Sequence, residues 1–471
     1  MPSARPNGGS MRLSPLDAAF LEVESPTAHM HVGWVALFRP PAGTRPPNFA
    51  ELRKSIAARV PFSQRYRQKL AWVPFGLHDP EWIDDPAFDI RHHVRHSSAR
   101  EIGRLVEHVY STPLERDRPL WEVWITDRLA DGRIGVVGKA HHCMVDGIAA
   151  VELASLFCDG TPEPPRIEPA PPWKPADEPS RTQLLTRGVR DRARDQLRVL
   201  ELPAQVVRSP GRVFDIAGEA LRAGRALFHT FSPSTPHQTM NEPISPRRTL
   251  ATVSRPLEDL RRVKQRFGTT VNDVVLAVAA GGVRSYLHGR GETPARLKAM
   301  VPVSLRSGTA ADLGNRISFV FVELPCDEPS PLRRLEEVKL AMSKRKEAGE
   351  PLGAEAVLDA VSFVPHPVQH AVSHAAASAR TYNLTVSNIP GPRQPLWMAG
   401  CPLEEAYPVV PLADRHAVSI GFTTVAEQGF FGIYADRKMV PDADDLAVAV
   451  ERSLDELLAR VDRPAVPALV T

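Results

Sequence analysis

The stretch HHCMVDG, from His141 to Gly147, places two adjacent histidines shortly before an aspartate and a glycine. The residues in front of it, IGVVGKA, are typical of a strand, and the residues after it, IAAVELASLF, are typical of a helix. The motif is therefore predicted to lie at a strand-to-helix junction. Such junctions expose side chains at the end of a sheet, where functional sites often form.

The strand that ends in the motif is predicted to be the second half of a hairpin. WEVWITDRL (Trp121–Leu129) is the first strand, and Asp131-Gly132 marks the turn. Successive side chains of a strand point to opposite faces. His141 and His142 therefore cannot both enter one site if the strand is regular there.

One histidine is thus expected to act, and its neighbours to support it. Asp146 lies a short turn beyond the strand. Its carboxylate can reach back to fix the ring of His142, or it can anchor the turn through an arginine.

Three other interpretations of the motif compete with a catalytic one. A histidine can be an ordinary core residue, but two histidines followed by Asp-Gly make this less attractive. A zinc site could use His, Cys and Asp, yet no second pair with ligand spacing exists in the sequence. A serine triad lacks its G-x-S-x-G nucleophile motif. An imidazole acting as general base on a hydroxyl or amine fits best, because histidine titrates near neutral pH.

Composition excludes several classes of protein. The 471 residues are 43% hydrophobic and 24% charged, which indicates a globular protein of two to four domains. A net charge of +3 without a long basic tail argues against a nucleic-acid partner. No C-x-x-C pair occurs, so we expect reduced thiols in a cytosolic protein. The four cysteines are Cys143, Cys158, Cys326 and Cys401.

The N-terminus and the hydropathy pattern predict only peripheral contact with membranes. The first ten residues are polar and lack the apolar core of a secretory signal, so we expect them to be disordered, with Met11 as an alternative start. No apolar run reaches the ~18 residues that cross a bilayer. The arginine-rich segment from Arg181 to about Phe228 is either a solvated helix between two domains or a basic amphipathic segment that rests on anionic lipid.

Further elements follow from capping signals and periodicity. They are a helix capped by Ser14 with Pro15 and Asp17 in its first turn, a strand at His31–Phe38, a helix from about Ser98, a helix at Leu257–Phe267 that Gly268 ends, a helix from Val271 to about Leu287 capped by Thr270, strands at Met300–Arg306, Ile317–Leu324 and Asn383–Pro392, a hairpin of AVSIGFTTV and FFGIYAD, and a helix at Asp442–Val461. We predict a disordered N-terminus at 1–10, a first lobe at 11–165, a proline-rich and helical linker at 166–245, a second lobe at 246–465 and a tail at 466–471.

The pattern HHxxxDG resembles the signature of the CoA-dependent acyltransferase superfamily, which includes condensation domains of peptide synthetases and chloramphenicol acetyltransferase. More narrowly, the chain is similar to the bacterial wax ester synthase/diacylglycerol acyltransferase family from about Leu13 to about Val461. The stretches that carry the similarity are LSPLDAAFL (Leu13–Leu21), HMHVG (His29–Gly33), RPLW (Arg118–Trp121), VNDVVLA (Val271–Ala277), VPVSLR (Val301–Arg306), LGN (Leu313–Asn315) and SNIPGP (Ser387–Pro392).

The resemblance implies an α/β (α+β) fold: a two-lobed, chloramphenicol-acetyltransferase-like CoA-dependent acyltransferase with mixed sheets flanked by helices and the active site between the lobes. It implies His142 as the general base, with Asp146 orienting it and His141 beside it. Asn272 is the expected oxyanion donor, although Thr270 and Asp273 also make an ordinary capping box there. The expected substrate-contact residues are Gly147, Pro119, Leu120, Trp121 and Asp273.

The reaction that the resemblance implies moves a long-chain acyl group from acyl-CoA to diacylglycerol, to a long-chain fatty alcohol, or to both. Acyl-CoA is then a co-substrate, and no cofactor, metal or nucleic acid is expected. An insoluble acceptor implies a cytoplasmic protein associated peripherally with membrane or lipid droplets. Two alternatives stay open: another alcohol or amine acceptor, and a catalytically weak protein that binds acyl-CoA or lipid.

Overall fold

The computed structural model describes residues 11–144, 157–163, 167–168, 170, 172–208, 236, 238–304, 317–347 and 366–462. Its strands are β1 (Met11–Arg12), β2 (His31–Phe38), β3 (Gln68–Ala71), β4 (Glu81–Asp84), β5 (Val94–His96), β6 (Trp121–Thr126), β7 (Ile134–His141), β8 (Arg248–Pro256), β9 (Leu297–Ser304), β10 (Ile317–Leu324), β11 (Leu384–Ile389), β12 (Trp397–Met398), β13 (Cys401–Val409), β14 (Val418–Val425) and β15 (Gln428–Asp436). Its α-helices are α1 (Pro15–Glu22), α2 (Phe49–Arg59), α3 (Ile90–His93), α4 (Ile102–Tyr110), α5 (Arg181–Arg208), α6 (Leu257–Phe267), α7 (Val271–Gly289), α8 (Pro331–Glu347), α9 (His366–Ala376) and α10 (Ala443–Val461).

The first lobe is built on a sheet with the strand order β12-β13-β2-β7-β6-β5. β6 and β7 pair antiparallel, which confirms the predicted hairpin, and every residue of β2 and β7 is buried. The strand that delivers the histidine motif is therefore a central strand that is covered on both faces.

The second lobe is built on a sheet with the order β10-β9-β11-β14-β15-β8, in which only the pairs made by β11 are parallel. Helices α7 and α10 pack against each other and against this sheet. α7 is buried without interruption from Asp273 to Val283, as expected of a helix that is apolar all round. Gly282 lies so close to Val450 that a Cβ atom would come within 2.5 Å of its Cγ2. These sheets and helices confirm the mixed α/β architecture.

Two strands from the second half of the chain, β12 and β13, lie in the first sheet. β13 comes from the second half, yet it pairs antiparallel with β2 in the first sheet. The backbones of Asp159 and Trp397 form a bridge nearby, and a buried ion pair joins Asp159 to Arg59 of α2. The structure thereby ties the segment that follows the histidine motif to both α2 and β12.

Local signals in the sequence are confirmed where the structure describes them. The Ser14 side chain accepts from the Asp17 amide at 3.1 Å, and Thr270 and Asp273 form the full capping box. Gly268 ends α6 in the left-handed region with φ 60°. The helix that was expected from about Ser98 begins later, at Ile102.

Other predictions fall outside the described residues. They are the helix after Gly147, the part of the arginine-rich helix beyond Arg208, and the stretch LGN at residues 313–315.

The lobes meet at a buried polar contact. Arg248 of β8 is 2% exposed and bonds to the carboxylate of Asp436 and to the backbone carbonyl of Thr27 in the first lobe. The rings of Tyr110 and Tyr434 pack edge to face beside it, 5.4 Å apart. The loop that precedes β2 is therefore held from the second lobe.

Candidate active site

The histidine motif begins at the last residue of β7. The backbone amide of His141 donates to the carbonyl of Leu120 at 2.9 Å, and Trp121 pairs directly with Ala140. His141 also lies opposite His31 across the sheet. The Pro-Leu-Trp stretch therefore supports the end of the strand from which the motif projects.

His142 lies in the turn that follows. Its backbone amide donates to the carbonyl of Met30 at 3.0 Å, and Met30 itself has a left-handed backbone with φ 49°. Its imidazole stacks on the ring of Phe20 in α1, with 3.7 Å between centroids. Phe20 in turn meets Phe319 of β10 edge to face at 6.5 Å. His142 is thus positioned by first-lobe elements, next to a contact with the second lobe.

Its surroundings keep this imidazole neutral. His142 is 9% exposed, and burial lowers its pKa to about 4, while contact with its own backbone carbonyl raises the pKa and neighbouring His141 lowers it. Nδ1 of this ring is buried and has no hydrogen-bond partner among the described residues. A neutral imidazole carries its proton on one nitrogen and keeps the lone pair of the other free to accept one.

His141 has different partners. Its Nδ1 accepts from the amide of Cys143 at 3.1 Å, so the neutral ring carries its proton on Nε2, which lies 3.2 Å from a carboxylate oxygen of Glu24. Burial, followed by the charge of Arg116, lowers the pKa of His141 to about 3. His141 is therefore placed to hold the turn around His142.

Glu24 is a site residue that sequence reasoning missed. It follows α1 and also forms an ion pair with Arg116, so it lies between this arginine and His141. Its carboxylate is only 12% exposed. The signal that could have revealed it is the second acid of the stretch FLEVE, a few residues before the strand that pairs with the motif.

Cys143 is unsuited to nucleophilic chemistry. Its side chain is 2% exposed, and burial raises the pKa of its thiol well above the usual range, with the charge of Asp17 acting in the same direction. In the described residues no cluster of three or more His, Cys, Asp or Glu side chains has the arrangement of a metal site.

The Pro-Leu-Trp stretch is a supporting element in this structure. Leu120 and Trp121 are fully buried, and the indole of Trp121 donates to the carbonyl of Tyr66 at 2.9 Å. The carbonyl of Trp121 lies 2.8 Å from Nδ1 of His93, whose ring stacks on the indole. Pro119 lies beside them and is buried as well. These contacts account for packing, and substrate contact by the three residues stays a prediction.

The two predicted residues of α7 have different surroundings. The Asp273 carboxylate accepts from the Thr270 amide at 2.8 Å and is 4% exposed, so the helix cap occupies it. Asn272 takes no part in the cap and is half-buried. No hydrogen bond joins these two described residues, Asn272 and His142, so the oxyanion role of Asn272 stays a prediction. Asp146 and Gly147 lie outside the described residues.

Two family models match this chain. Residues 13–275 match the model of the "Wax ester synthase/diacylglycerol acyltransferase catalytic domain". Residues 313–458 match the model of the "WS/DGAT C-terminal domain".

Individual relatives align over nearly the whole chain. The Mycobacterium tuberculosis protein named "Probable diacyglycerol O-acyltransferase tgs1" is 32% identical over 460 residues, which cover 95% of this chain and 96% of the relative. A solved wax ester synthase/diacylglycerol acyltransferase from Marinobacter aquaeolei VT8 is 25% identical with a TM-score of 0.68, and the match covers 96% of this chain and 99% of that one. The first condensation domain of the CDA synthetase shares the fold at 17% identity and a TM-score of 0.56, with 98% of each chain covered.

Proposed function

Because the chain belongs to the wax ester synthase/diacylglycerol acyltransferase family and is an acyl-CoA acyltransferase, we propose that it moves a long-chain acyl group from acyl-CoA to the hydroxyl of a diacylglycerol or a fatty alcohol. The observation that carries the mechanism is the buried, neutral imidazole of His142 beside the contact between the lobes. A base must be unprotonated before it can act, and this ring is unprotonated at neutral pH.

In the proposed reaction, Nε2 of His142 takes the proton of the acceptor hydroxyl while the hydroxyl oxygen attacks the thioester carbonyl. The new C–O bond gives a tetrahedral oxyanion, for which Asn272 is the proposed donor. The intermediate collapses as the C–S bond breaks, and His142 returns its proton to the departing CoA thiolate. General-base help of this kind is worth about 10²–10⁴-fold, and holding both substrates together supplies a further gain.

The surroundings of His142 support this assignment. Phe20 lies against one face of the ring, and the Met30 carbonyl holds the backbone, so the ring has little freedom to turn. The neighbouring thiol, Cys143, is kept protonated by burial, which favours direct transfer over an acyl-enzyme. Asp146 keeps the orienting role that the resemblance to the family implies.

Acceptor and location belong to the same proposal. None of the helices in the described residues has the length and apolar content that crossing a bilayer requires. We propose that the enzyme works in the cytoplasm and meets its lipid acceptor peripherally, at a membrane or a lipid droplet.

Release of CoA tests the proposal. Purified protein is mixed with palmitoyl-CoA and with hexadecanol or diolein, and free thiol is followed for wild type, His142→Ala and Cys143→Ala. We expect His142→Ala to lose about 10²–10⁴-fold of the acceptor-dependent rate, because the base is gone. Cys143→Ala is the matched control from the same buried turn and should keep its rate within about tenfold.

Three outcomes would contradict the proposal. Full activity of a folded His142→Ala protein would exclude the base. Loss of activity in Cys143→Ala alone would indicate an acyl-enzyme. Tight binding of palmitoyl-CoA without release for any alcohol or amine acceptor would favour a lipid-binding protein.

A further inference from the structure

A loop of the first lobe holds apolar side chains in water. The segment between β3 and β4 contains Trp72, Phe75 and Leu77, which are 51%, 90% and 39% exposed. We call residues 72–77 the aromatic loop. Large apolar side chains that are exposed together mark a surface that meets another apolar phase.

The N-terminal part of helix α5 lies against this loop. Gly188 approaches Val73 so closely that a Cβ atom on the glycine would come within 2.7 Å of a Val73 methyl group. The next residue, Val189, is 54% exposed. The stretch RTQLLTRGVRDRAR at residues 181–194 contains five arginines and one acid, Asp191. The aromatic loop and this helix segment therefore form one surface that is both apolar and basic.

The backbone conformation and the exposed ring of Phe75 do not stabilise the isolated chain. Its backbone is left-handed, with φ 61° and ψ 13°, a region that disfavours residues other than glycine and asparagine. Gly76 follows with φ 60°, so the tip turns sharply and presents the phenyl ring outward. Strain and an exposed ring together contribute nothing to the stability of the chain alone, which points to a partner outside it.

A short series of contacts links the loop to the histidine motif. The Trp72 ring lies 5.7 Å from the guanidinium of Arg116, and Arg116 forms an ion pair with Glu24. Glu24 in turn lies 3.2 Å from the ring of His141. An apolar phase that reached the aromatic loop would thus lie close to the proposed active site.

We propose that the aromatic loop and the arginine-rich segment 181–194 dock the enzyme on an anionic lipid surface; this rests on the proposed function, whose acceptor is a lipid. Aromatic and aliphatic side chains enter the boundary between headgroups and acyl chains, and arginines attract anionic headgroups. Arg187 pairs with Glu81 and Arg190 lies 3.5 Å from Asp191, and the positive charge that remains on the segment favours this occupant over an uncharged one. The protruding ring favours an apolar phase that it can enter.

Vesicle flotation tests the proposal without any enzymatic readout. Wild type is floated with vesicles of phosphatidylcholine alone and of phosphatidylcholine with phosphatidylglycerol. The double variant Phe75→Ser with Leu77→Ser removes the apolar tip, and we expect its partitioning to fall by about tenfold or more. The matched control is Leu340→Ser with Val448→Ser, two exposed apolar residues of α8 and α10 at 53% and 50%, and it should bind like wild type.

The basic part is tested separately. Arg190→Gln with Arg194→Gln should weaken binding to the vesicles that contain phosphatidylglycerol and leave binding to phosphatidylcholine alone unchanged. The difference between the two vesicle types should also shrink as salt is raised.

Two controls separate this surface from the chemistry and from folding. CoA release with a short, soluble alcohol and no vesicles should be the same in wild type and the loop variant, whereas transfer to vesicle-borne diolein should slow in the variant. Phe75→Asn, which tolerates the left-handed backbone, should also lose vesicle binding while its melting temperature stays equal or rises.

The proposal is overturned if the loop variant floats like wild type, or if wild type binds neither vesicle. It is also overturned if wild type is a dimer that the loop variant converts to monomers while lipid binding is absent, since the surface would then join two copies. Vesicle binding that depends on the loop, together with no CoA release, would keep the docking surface and reject the acyltransfer.

Discussion

Among single residues, His142 differs from a solvent-exposed histidine because its ring is buried against Phe20. The sequence predicted that one histidine of the pair would act and its neighbours support it. The two rings have separate partners: Phe20 for His142, and Glu24 and the Cys143 amide for His141. The pairing with Glu24 could not be predicted, because a contact between residues 24 and 141 depends on the packing of α1 against the end of β7.

The lowered pKa of His142 predicts an unusual pH profile. The ring is the base only when neutral, and its pKa of about 4 means that this form persists well below the ordinary 6.5. We therefore expect kcat/KM of the folded protein to stay flat from about pH 7.5 to about pH 5.5 and to be lost as pH falls through the folded-state pKa. CoA release measured across this range checks it, with recovery of activity at pH 7 as the control. A half-maximal rate near pH 6.5 would show that the ring is not buried in solution.

Glu24 should act through His141. Glu24→Ala leaves the ring of His141 and the guanidinium of Arg116 without their carboxylate, so the turn that carries His142 loses support. We expect kcat to fall with little change in KM, and the free energy of unfolding to fall by about 1–3 kcal/mol. Glu22→Ala is the matched control: its pair with His370 is more exposed than that of Glu24 and is worth about 0–1 kcal/mol. Equal kinetic effects of the two variants would exclude a role in positioning.

Among the elements, the predictions succeeded where the signal is local. The hairpin of β6 and β7, the caps at Ser14 and Thr270 and the stop at Gly268 are each set by a few neighbouring residues. β13 was missed, because Pro402 and Pro408 interrupt the pattern of a strand. β12 covers only the first two residues of β13, so most of β13 is an edge strand, where proline is tolerated.

A buried ion pair joins Arg59 of α2 to Asp159 in the segment after the motif. Removal of one partner is expected to destabilise the fold. Asp159→Leu leaves the buried guanidinium of Arg59 uncompensated, which should lower the free energy of unfolding by about 3–5 kcal/mol. Arg59→Leu together with Asp159→Leu should recover much of this loss, because no buried charge remains. Urea unfolding of the two single variants and the double variant measures the difference. A double variant that costs as much as the two single losses combined would show that Arg59 and Asp159 act independently, which would contradict the prediction.

On the scale of the whole molecule, buried neutral histidines couple stability to pH. Each of six described histidines has a pKa that burial, as the largest cause, lowers from 6.5. They are His29, His31, His93, His141, His142 and His416. Such a group binds a proton more readily when the chain is unfolded, so stability is full above about pH 6.5 and is lost as pH falls below it.

We therefore expect the free energy of unfolding to drop steeply between pH 6.5 and pH 5. Each of the more deeply buried groups contributes up to about 1.4 kcal/mol per pH unit in that window, and His29, which is less enclosed, contributes less. Urea titrations at several pH values measure the slope. His416→Gln, distant in sequence from the motif, should reduce the slope by about one such increment, since it removes one proton-binding group. A free energy that is constant from pH 7.5 to pH 5.5 would contradict the prediction.

The pairing of β2 with β13 also affects the order in which the first sheet can form during synthesis. Arg39, which follows β2, bonds to Glu404 of β13, and these residues are 365 positions apart in the chain. At a synthesis rate of roughly 5–20 residues per second, the ribosome makes β13 about 20–70 s after β2. During that interval the outer edge of β2 has unpaired amides and carbonyls that any other strand could occupy. A nascent chain would need protection for this edge, and a first lobe that was expressed alone would lack both β12 and β13.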